Sequence, residues 1–421
     1  MKKNAVDRQK EIYVRGLGGV QPAIPASLEL LEAKAQACMS PKAFAYVAGG
    51  AGREMTMQNN RSGFGAWKII PRMLRDVSAR DTAVELFGDH LPAPFLLAPI
   101  GVLELAHKAA EIAVAQAARE HGVPMIFSNQ ASVAMEKVAS ELGDSPRWFQ
   151  LYWSKSNELV KSLVQRAENC KCSAIVVTLD TTLLGWRTRD IDLAYLPFLS
   201  GKGIAQYTSD PVFNRLIEED VDEPASALKP PVNWETLLSI LALMRNYPGG
   251  FWSNLRSKKP LKAVAKFISI YSRPSLTWQD LETLRNMTSL PIVLKGILHP
   301  EDARLAVKHG VDGIIVSNHG GRQVDGAIST IEALPAIVEA VNDKIPVLID
   351  SGIRSGADTF KALALGAKAV LIGRPFVYGL AINGAAGVAD VIKNFMADFE
   401  LNMALSGCRS VSEINRQCLS A

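Results

Sequence analysis

The chain has 421 residues, 48% hydrophobic and 21% charged, the ordinary makeup of a protein with a sizeable core. Its formal net charge of +4 is small and dispersed, which argues against a nucleic-acid partner, and no apolar stretch reaches the ~18 residues expected of a membrane span. Cysteines stand at 38, 170, 172, 408 and 418 without a zinc-type pair, and the charged N-terminus has no apolar signal core, so reduced thiols, no metal centre and a cytoplasmic location are the expectations.

The first elements in the chain are helical patterns at Leu28–Gln36 and Pro41–Val47, ending in Ala48-Gly49-Gly50-Ala51-Gly52. They read as a cap, residues 1–92, on the domain that follows. From residue 93, short apolar runs rich in β-branched residues recur at Pro94–Ala98, Pro124–Phe127, Trp148–Tyr152, Ala174–Thr178, Pro291–Lys295, Gly313–Ser317, Pro346–Asp350 and Ala369–Gly373. Amphipathic patterns lie between most of them, at Glu111–Glu120, Val133–Glu141, Glu158–Glu168, Pro300–His309, Ile331–Val341 and Gly356–Leu365. Eight alternating units predict an α/β protein, a closed (β/α)8 TIM barrel within one domain spanning 1–421. An open doubly wound sheet is the runner-up, but it calls for a GxGxxG turn after its first strand, and none is there.

The exception to the spacing is a gap of 117 residues between the starts of the fourth and fifth strands. It holds an insertion of roughly 193–275, with Pro224, Pro230, Pro231, Pro248-Gly249-Gly250 and the basic run Arg256-Ser257-Lys258-Lys259. A loop in that place sits on the catalytic face of a barrel and reads as a lid, a packing insertion being the alternative.

Barrel enzymes carry their chemistry at the C-terminal ends of the strands. In order, these ends supply Ala98-Pro99-Ile100-Gly101, smooth enough to lie against a flat ring; Ser128 and Asn129; Gln150 and Tyr152; Thr178, Asp180 and then Arg187; Lys295; Ser317, His319 and Arg322; Asp350 to Arg354; and Gly373-Arg374. Any one of these has a bland explanation. Together they put hydroxyls, an amide, carboxylates, a lysine, a histidine and arginines on one rim. The turns Ser351-Gly352-Ile353-Arg354 and Gly373-Arg374-Pro375, after strands seven and eight, occupy the usual phosphate position of a barrel, with tight turns alone as the alternative. The residues thus read as a barrel holding a phosphate-bearing cofactor below a small anionic substrate. Histidine is the natural base near neutral pH, and Asp180 is placed to orient it.

The motifs Ser317-Asn318-His319-Gly320-Gly321-Arg322-Gln323, Phe149-Gln150-Leu151-Tyr152, Thr178-Leu179-Asp180-Thr181, Lys295-Gly296, Asp350 to Arg354 and Gly373-Arg374-Pro375 together resemble the FMN-dependent L-2-hydroxy acid oxidase/dehydrogenase family. Tyr46-Val47-Ala48-Gly49-Gly50, Gly185-Trp186-Arg187-Thr188-Arg189-Asp190 and the long insertion extend the likeness toward its lactate 2-monooxygenase subgroup. The resemblance implies FMN as cofactor and a small 2-hydroxy acid plus O2 as partners. It also implies a homo-oligomer, a tetramer or octamer.

By the same resemblance His319 takes a substrate proton and Asp180 pairs with it. Arg187 and Arg322 clamp the carboxylate, and Tyr46 and Tyr152 hydrogen-bond substrate oxygens. Lys295 stabilises the reduced flavin. Ala98, Pro99, Ile100, Ser128, Gln150, Thr178, Lys295 and Ser317 attend the ring, while Asp350, Gly352, Arg354, Gly373 and Arg374 hold the ribityl phosphate. L-lactate oxidation with O2-coupled decarboxylation to acetate, CO2 and water is the implied outcome. An oxidase or dehydrogenase releasing the 2-oxo acid is the alternative, and a non-redox phosphate-binding barrel is the reading from another class.

Overall fold

In the computed structural model, which describes residues 4–219, 231 and 233–420, eight parallel strands close into a barrel. They are β1 (Phe95–Leu97), β2 (Met125–Phe127), β3 (Arg147–Leu151), β4 (Ile175–Thr178), β5 (Ile292–Ile297), β6 (Gly313–Val316), β7 (Val347–Ile349) and β8 (Ala369–Ile372). Each pairs with its sequence neighbour, and β8 returns to β1 through Val370–Phe95, Leu371–Leu96 and Ile372–Leu97. All eight fall where the apolar runs place them.

The two-residue period of a strand divides the apolar side chains between two cores. Leu96, Ile126, Trp148, Val176, Val293, Ile315, Leu348 and Leu371, one from each strand, fill the barrel interior. Their neighbours Leu97, Phe127, Phe149, Ile175, Leu294, Ile314, Ile349 and Ile372 point outward into the shell of helices. A hairpin, Val84–Leu86 with Asp89–Leu91, adds Leu86 and Leu91 to the interior core, and the Phe87 ring lies 5.4 Å from that of Trp148. The barrel is therefore plugged at one end and open for chemistry at the other.

The connecting helices Ala110–His121, Met135–Leu142, Asn157–Asn169, Pro300–Lys308, Thr330–Val341 and Gly356–Ala364 match the amphipathic segments read from the sequence, with ends shifted by a residue or two. The last helix, Arg374–Leu405, was not anticipated. It is long and apolar enough to cross a membrane, but 67% of its apolar window is buried, and it breaks at Asn383 and Gly384. Burial on several faces leaves no clean 3.6-residue stripe to read.

Ahead of the barrel stand the helices Ala5–Leu17, Leu28–Cys38, Pro41–Ala48 and Met55–Ser62. A short antiparallel pair joins Lys68–Ile69 to Leu419–Ser420 near the chain's other end. The described part of the insertion is helical, including Pro211–Glu219, Trp234–Asn246, Phe251–Ser257 and Lys259–Ile270. It has an aromatic core of its own, with Phe267 centred 4.8 Å from Tyr207, 5.2 Å from Phe198 and 5.2 Å from Tyr271. Pro224 and Pro230 lie outside the described residues.

Candidate functional site

A cavity of about 460 Å³ opens where the strands end. Its wall is contributed by several distant parts of the chain: Ala98 to Gly101 after β1, Tyr152 after β3, Thr181 to Arg187 after β4, and Lys295 in β5. His319 to Arg322 follow β6, Asp350 to Arg354 follow β7, and Gly373-Arg374 follow β8. The cap adds Tyr46 and Val47, and the insertion adds Phe198, Phe267, Ile268 and Tyr271.

His319 sits in a left-handed backbone conformation, φ 57°, uncommon for a non-glycine residue and costly unless its surroundings hold it. They do so through hydrogen bonds. His319 N donates to Ser317 Oγ at 3.1 Å, Gly320 N to Ser351 Oγ at 2.9 Å, and Gly321 N to Asn318 Oδ1 at 3.2 Å. The Asn318 and Asn60 side-chain amides exchange two 2.7 Å hydrogen bonds, locking this turn onto the helix Met55–Ser62.

The ring that this turn presents has Nδ1 2.8 Å from Asp180 Oδ1 and 3.1 Å from Thr181 Oγ1. Asp180 itself is buried, which alone would raise its pKa. The His319 and Lys295 charges outweigh that and hold it at about 2, so it is ionised. Burial pushes His319 the other way, below the ordinary imidazole value, against the pull of Asp180. The resting pair is therefore a carboxylate accepting Nδ1–H from a neutral imidazole, which leaves Nε2 unprotonated.

Lys295 is buried, yet it stays charged because Asp350 Oδ2 lies 3.0 Å and Asp180 Oδ2 3.9 Å from its Nζ, which also donates to Ser317 Oγ at 2.8 Å. Burial would lower its pKa, and the two carboxylates raise it further than that. At Gly296, next to it, the pairing of β5 with β6 slips. There φ is 111°, and a Cβ would come within 2.9 Å of Asp180, so a bare backbone lets the carboxylate approach the lysine strand.

Two arginines with crossed supports stand next to these groups. Arg322 Nη1 donates to the carbonyls of Tyr46 at 2.6 Å and Gly49 at 2.8 Å, and its guanidinium lies 5.1 Å from the centre of the Tyr46 ring. Burial, with Arg187 close by, pushes Arg322 down to about 9. Arg187 is fixed by Arg322 O at 3.3 Å and Gln323 Oε1 at 3.2 Å. Two adjacent guanidiniums in a buried pocket are a site for an anion. Tyr152 is buried beside them, and burial together with Asp180 raises its hydroxyl pKa, so it acts only as a neutral donor or acceptor.

Ser128, Gln150 and Thr178 are buried in a hydrogen-bonded row at the strand ends: Ser128 Oγ donates to Gln150 Oε1 at 3.1 Å, and Gln150 Nε2 to Thr178 Oγ1 at 3.0 Å. With Ser317 they support the residues lining the cavity. Arg374 has a role beyond the sequence reading of its side chain. Its guanidinium donates to Val47 O at 3.1 Å, Gly320 O at 3.0 Å and Gly49 O at 2.8 Å, tying cap, His319 turn and β8 together. It also lines the cavity at the start of the helix Arg374–Leu405, where two guanidinium N–H groups and the backbone remain for an anion.

The phosphate end of the implied cofactor can be tested on Arg354. Its Nε is buried with no hydrogen-bond partner, and burial with Arg374 nearby pushes its guanidinium down to about 10. Its Nη1 donates to Ile353 O at 2.9 Å, and a guanidinium with a buried, unpartnered Nε beside a second cation at a helix start suits an anionic ligand. Gly352, φ 101°, lies so close to the helix Met55–Ser62 that a Cβ would meet Asn60 O at 2.1 Å. Asp350 and Lys295 stand between this end and the base. The residues present therefore fit FMN, with its phosphate toward Arg354 and its ring toward Ala98–Ile100 and Lys295.

Sequence reasoning assigned no role to Gln323, Thr181 or the roof residues Phe267 and Tyr271. Gln323 Nε2 donates to the carbonyls of Asp180 and Leu183, both at 2.8 Å, while its Oε1 accepts from Arg187, so one amide fixes both the base's partner and the clamp. Its place directly after Arg322 was the available signal. The roof residues belong to the insertion and gave none.

The FMN-dependent dehydrogenase family model matches residues 35–421. The chain is 42% identical over 94% of its length to the FMN-dependent alpha-hydroxy acid dehydrogenase qulF of Penicillium citrinum, covering 91% of that protein. It is also 42% identical to the L-lactate oxidase of Lysinibacillus sphaericus, over 87% of this chain and 86% of the other. Among solved structures, mandelate oxidase with (S)-4-hydroxymandelic acid superposes with a TM-score of 0.77 at 36% identity, covering 94% of this chain and 98% of that one. These matches displace the non-redox reading. With a flavin-sized cavity, a buried imidazole–carboxylate pair and a double guanidinium clamp in one barrel mouth, the chain belongs to the FMN-dependent dehydrogenase family and catalyses FMN-dependent oxidation of 2-hydroxy acids.

Proposed function

We propose that the preferred substrate is a short L-2-hydroxy acid, L-lactate foremost, and that the 2-oxo acid is held in the site and decarboxylated there. Arg187 and Arg322 bind the carboxylate. The hydroxyls of Tyr46 and Tyr152 hydrogen-bond the substrate oxygens, and His319 Nε2 receives the substrate proton. Asp180 then faces an imidazolium, whose charge it stabilises. Lys295 places a fixed positive charge at the cofactor edge. FMN, when bound, would supply the two-electron redox chemistry between the substrate α-carbon and O2, with peroxide as the reduced product. Peroxide retained with pyruvate yields acetate, CO2 and water.

The observation carrying the retention step is the roof. Phe267 and Tyr271 cover the cavity from the insertion, and Ser272 Oγ donates to Thr182 O at 2.8 Å, fastening the insertion to the loop after β4. Large, mostly apolar side chains at the cavity wall reduce its water and slow release. The kinship with a protein named L-lactate oxidase favours the second reading, release of the 2-oxo acid with peroxide.

Air turnover of L-lactate, with acetate and CO2 measured against pyruvate and peroxide, separates the two. A stoichiometric yield of peroxide would exclude retention. A panel of L- and D-acids, each titrated anaerobically while the flavin absorbance is followed, tests the substrate. Bleaching by larger acids but not by L-lactate would exclude the short-acid assignment.

A further inference from the structure

Away from the cavity, the chain's last turn brings two cysteines together. Cys408 follows the helix Arg374–Leu405, and Cys418 ends the short turn before the strand Leu419–Ser420. Their Sγ atoms converge on one acceptor, the carbonyl of Glu413, at 3.8 Å and 3.9 Å. Cys408 is buried, whereas Cys418 is only partly covered. The remaining cysteines differ in kind. Cys38 is exposed, and Cys170 and Cys172 are buried on either side of Lys171.

The loop between the pair is compact. Arg409 N donates to Glu413 Oε2 at 2.9 Å, and Asn415 Nδ2 donates to Glu413 O at 3.1 Å. That third donor matters, since loss of both thiol protons would leave the Glu413 carbonyl still hydrogen-bonded. The same part of the chain holds the segment that leads into the barrel: Ile70 N donates to Cys418 O at 2.9 Å, Asp81 N to Arg409 O at 2.8 Å, and Arg72 N to Ser406 O at 3.2 Å.

We propose that Cys408 and Cys418 form a peroxide-closed dithiol clasp. The oxidant is hydrogen peroxide. The Cys418 thiolate attacks one peroxide oxygen, giving a sulfenic acid and releasing hydroxide. The Cys408 sulfur then attacks the Cys418 sulfur, the S–O bond breaks, and the hydroxyl leaves as water with the Cys408 proton. Each sulfur gives up one electron, and the peroxide is reduced to two waters once the hydroxide regains the proton that Cys418 lost. The partly covered cysteine is the one peroxide reaches, and the buried one resolves it. Burial and the adjacent thiol raise Cys408 to about 12, so it is not the thiol that peroxide oxidises first, and its proton leaves as its sulfur attacks. The bond would staple the segment that holds residues 68–81, restricting the unfolded chain.

The test uses the FMN-loaded enzyme treated with hydrogen peroxide, quenched, denatured and alkylated. The chain has five cysteines. The expected result is loss of two alkylatable thiols, a peptide map linking the peptides of Cys408 and Cys418, recovery of both thiols on reduction, and a higher melting temperature for the oxidised form. Cys418→Ser keeps a polar donor at that position. It should leave Cys408 alkylatable after peroxide, abolish the melting shift and retain lactate-dependent flavin bleaching. All thiols surviving, a link between other cysteines, or overoxidation of Cys418 with Cys408 still free would each overturn the proposal.

Discussion

His319 gains its reactivity from a contest between burial and Asp180. Because burial holds its pKa below the ordinary ~6.5, the imidazole is the free base across neutral pH and becomes protonated only in acid. A base works above its pKa, so kcat/KM should be level through neutrality and fall as pH drops below about 6.5; a profile that instead rises on acidification would remove His319 as base. His319→Gln keeps the turn's size and polarity but removes the base. It should lower anaerobic flavin reduction by on the order of 10²–10⁴-fold while FMN content is unchanged. Arg322→Lys loses the planar fork and can satisfy the Tyr46 and Gly49 carbonyls only by turning away from the substrate. KM should rise by on the order of tenfold or more, read from steady-state kinetics with L-lactate. Most of these residues were legible because each stands at the end of an apolar run, where a barrel puts its chemistry. Gln323 was less so, since a neutral amide looks the same in sequence whether it bridges two functional groups or lies on a surface.

At the level of elements, the strands declared themselves by composition, and the helices between them by their apolar stripes. The helices Ala5–Leu17 and Arg374–Leu405 did not. The first has only Ala5 buried, and the second is buried on several sides, so neither shows a single-sided pattern. The insertion was legible as a position and a length, but its aromatic core, Phe198, Tyr207, Phe213 and Phe267, is assembled from residues far apart in sequence. The approach of the helix Met55–Ser62 to the turn after β7 was likewise hidden, and it gives a sharp prediction. Gly352→Ala puts a methyl against Asn60 O in a backbone conformation that alanine resists. A loss of about 2–4 kcal/mol in unfolding free energy and of bound FMN should follow, measured by denaturant titration and flavin fluorescence.

On the scale of the whole molecule, the site is where cap, barrel and insertion meet. Arg374 gathers three carbonyls from two of those parts, so its replacement should act at a distance. Arg374→Leu takes a donor from three carbonyls, of which Gly49 O keeps another, from Arg322, and it loosens the cap. The expected outcome is a lower melting temperature and weakened FMN binding, with KM for the acid raised because the cap segment next to Tyr46 is less firmly held. Unchanged FMN affinity and KM would show that the cap holds itself down.

The same latch bears on protein synthesis. Val47 and Gly49 leave the ribosome early, whereas Arg374, which donates to both their carbonyls, follows more than three hundred residues later. A polypeptide interrupted before that point lacks this latch on the first wall of its pocket, and lacks the end of β8's loop as well. Incomplete translation products should therefore be inert, and should not leak peroxide from a half-built flavin site.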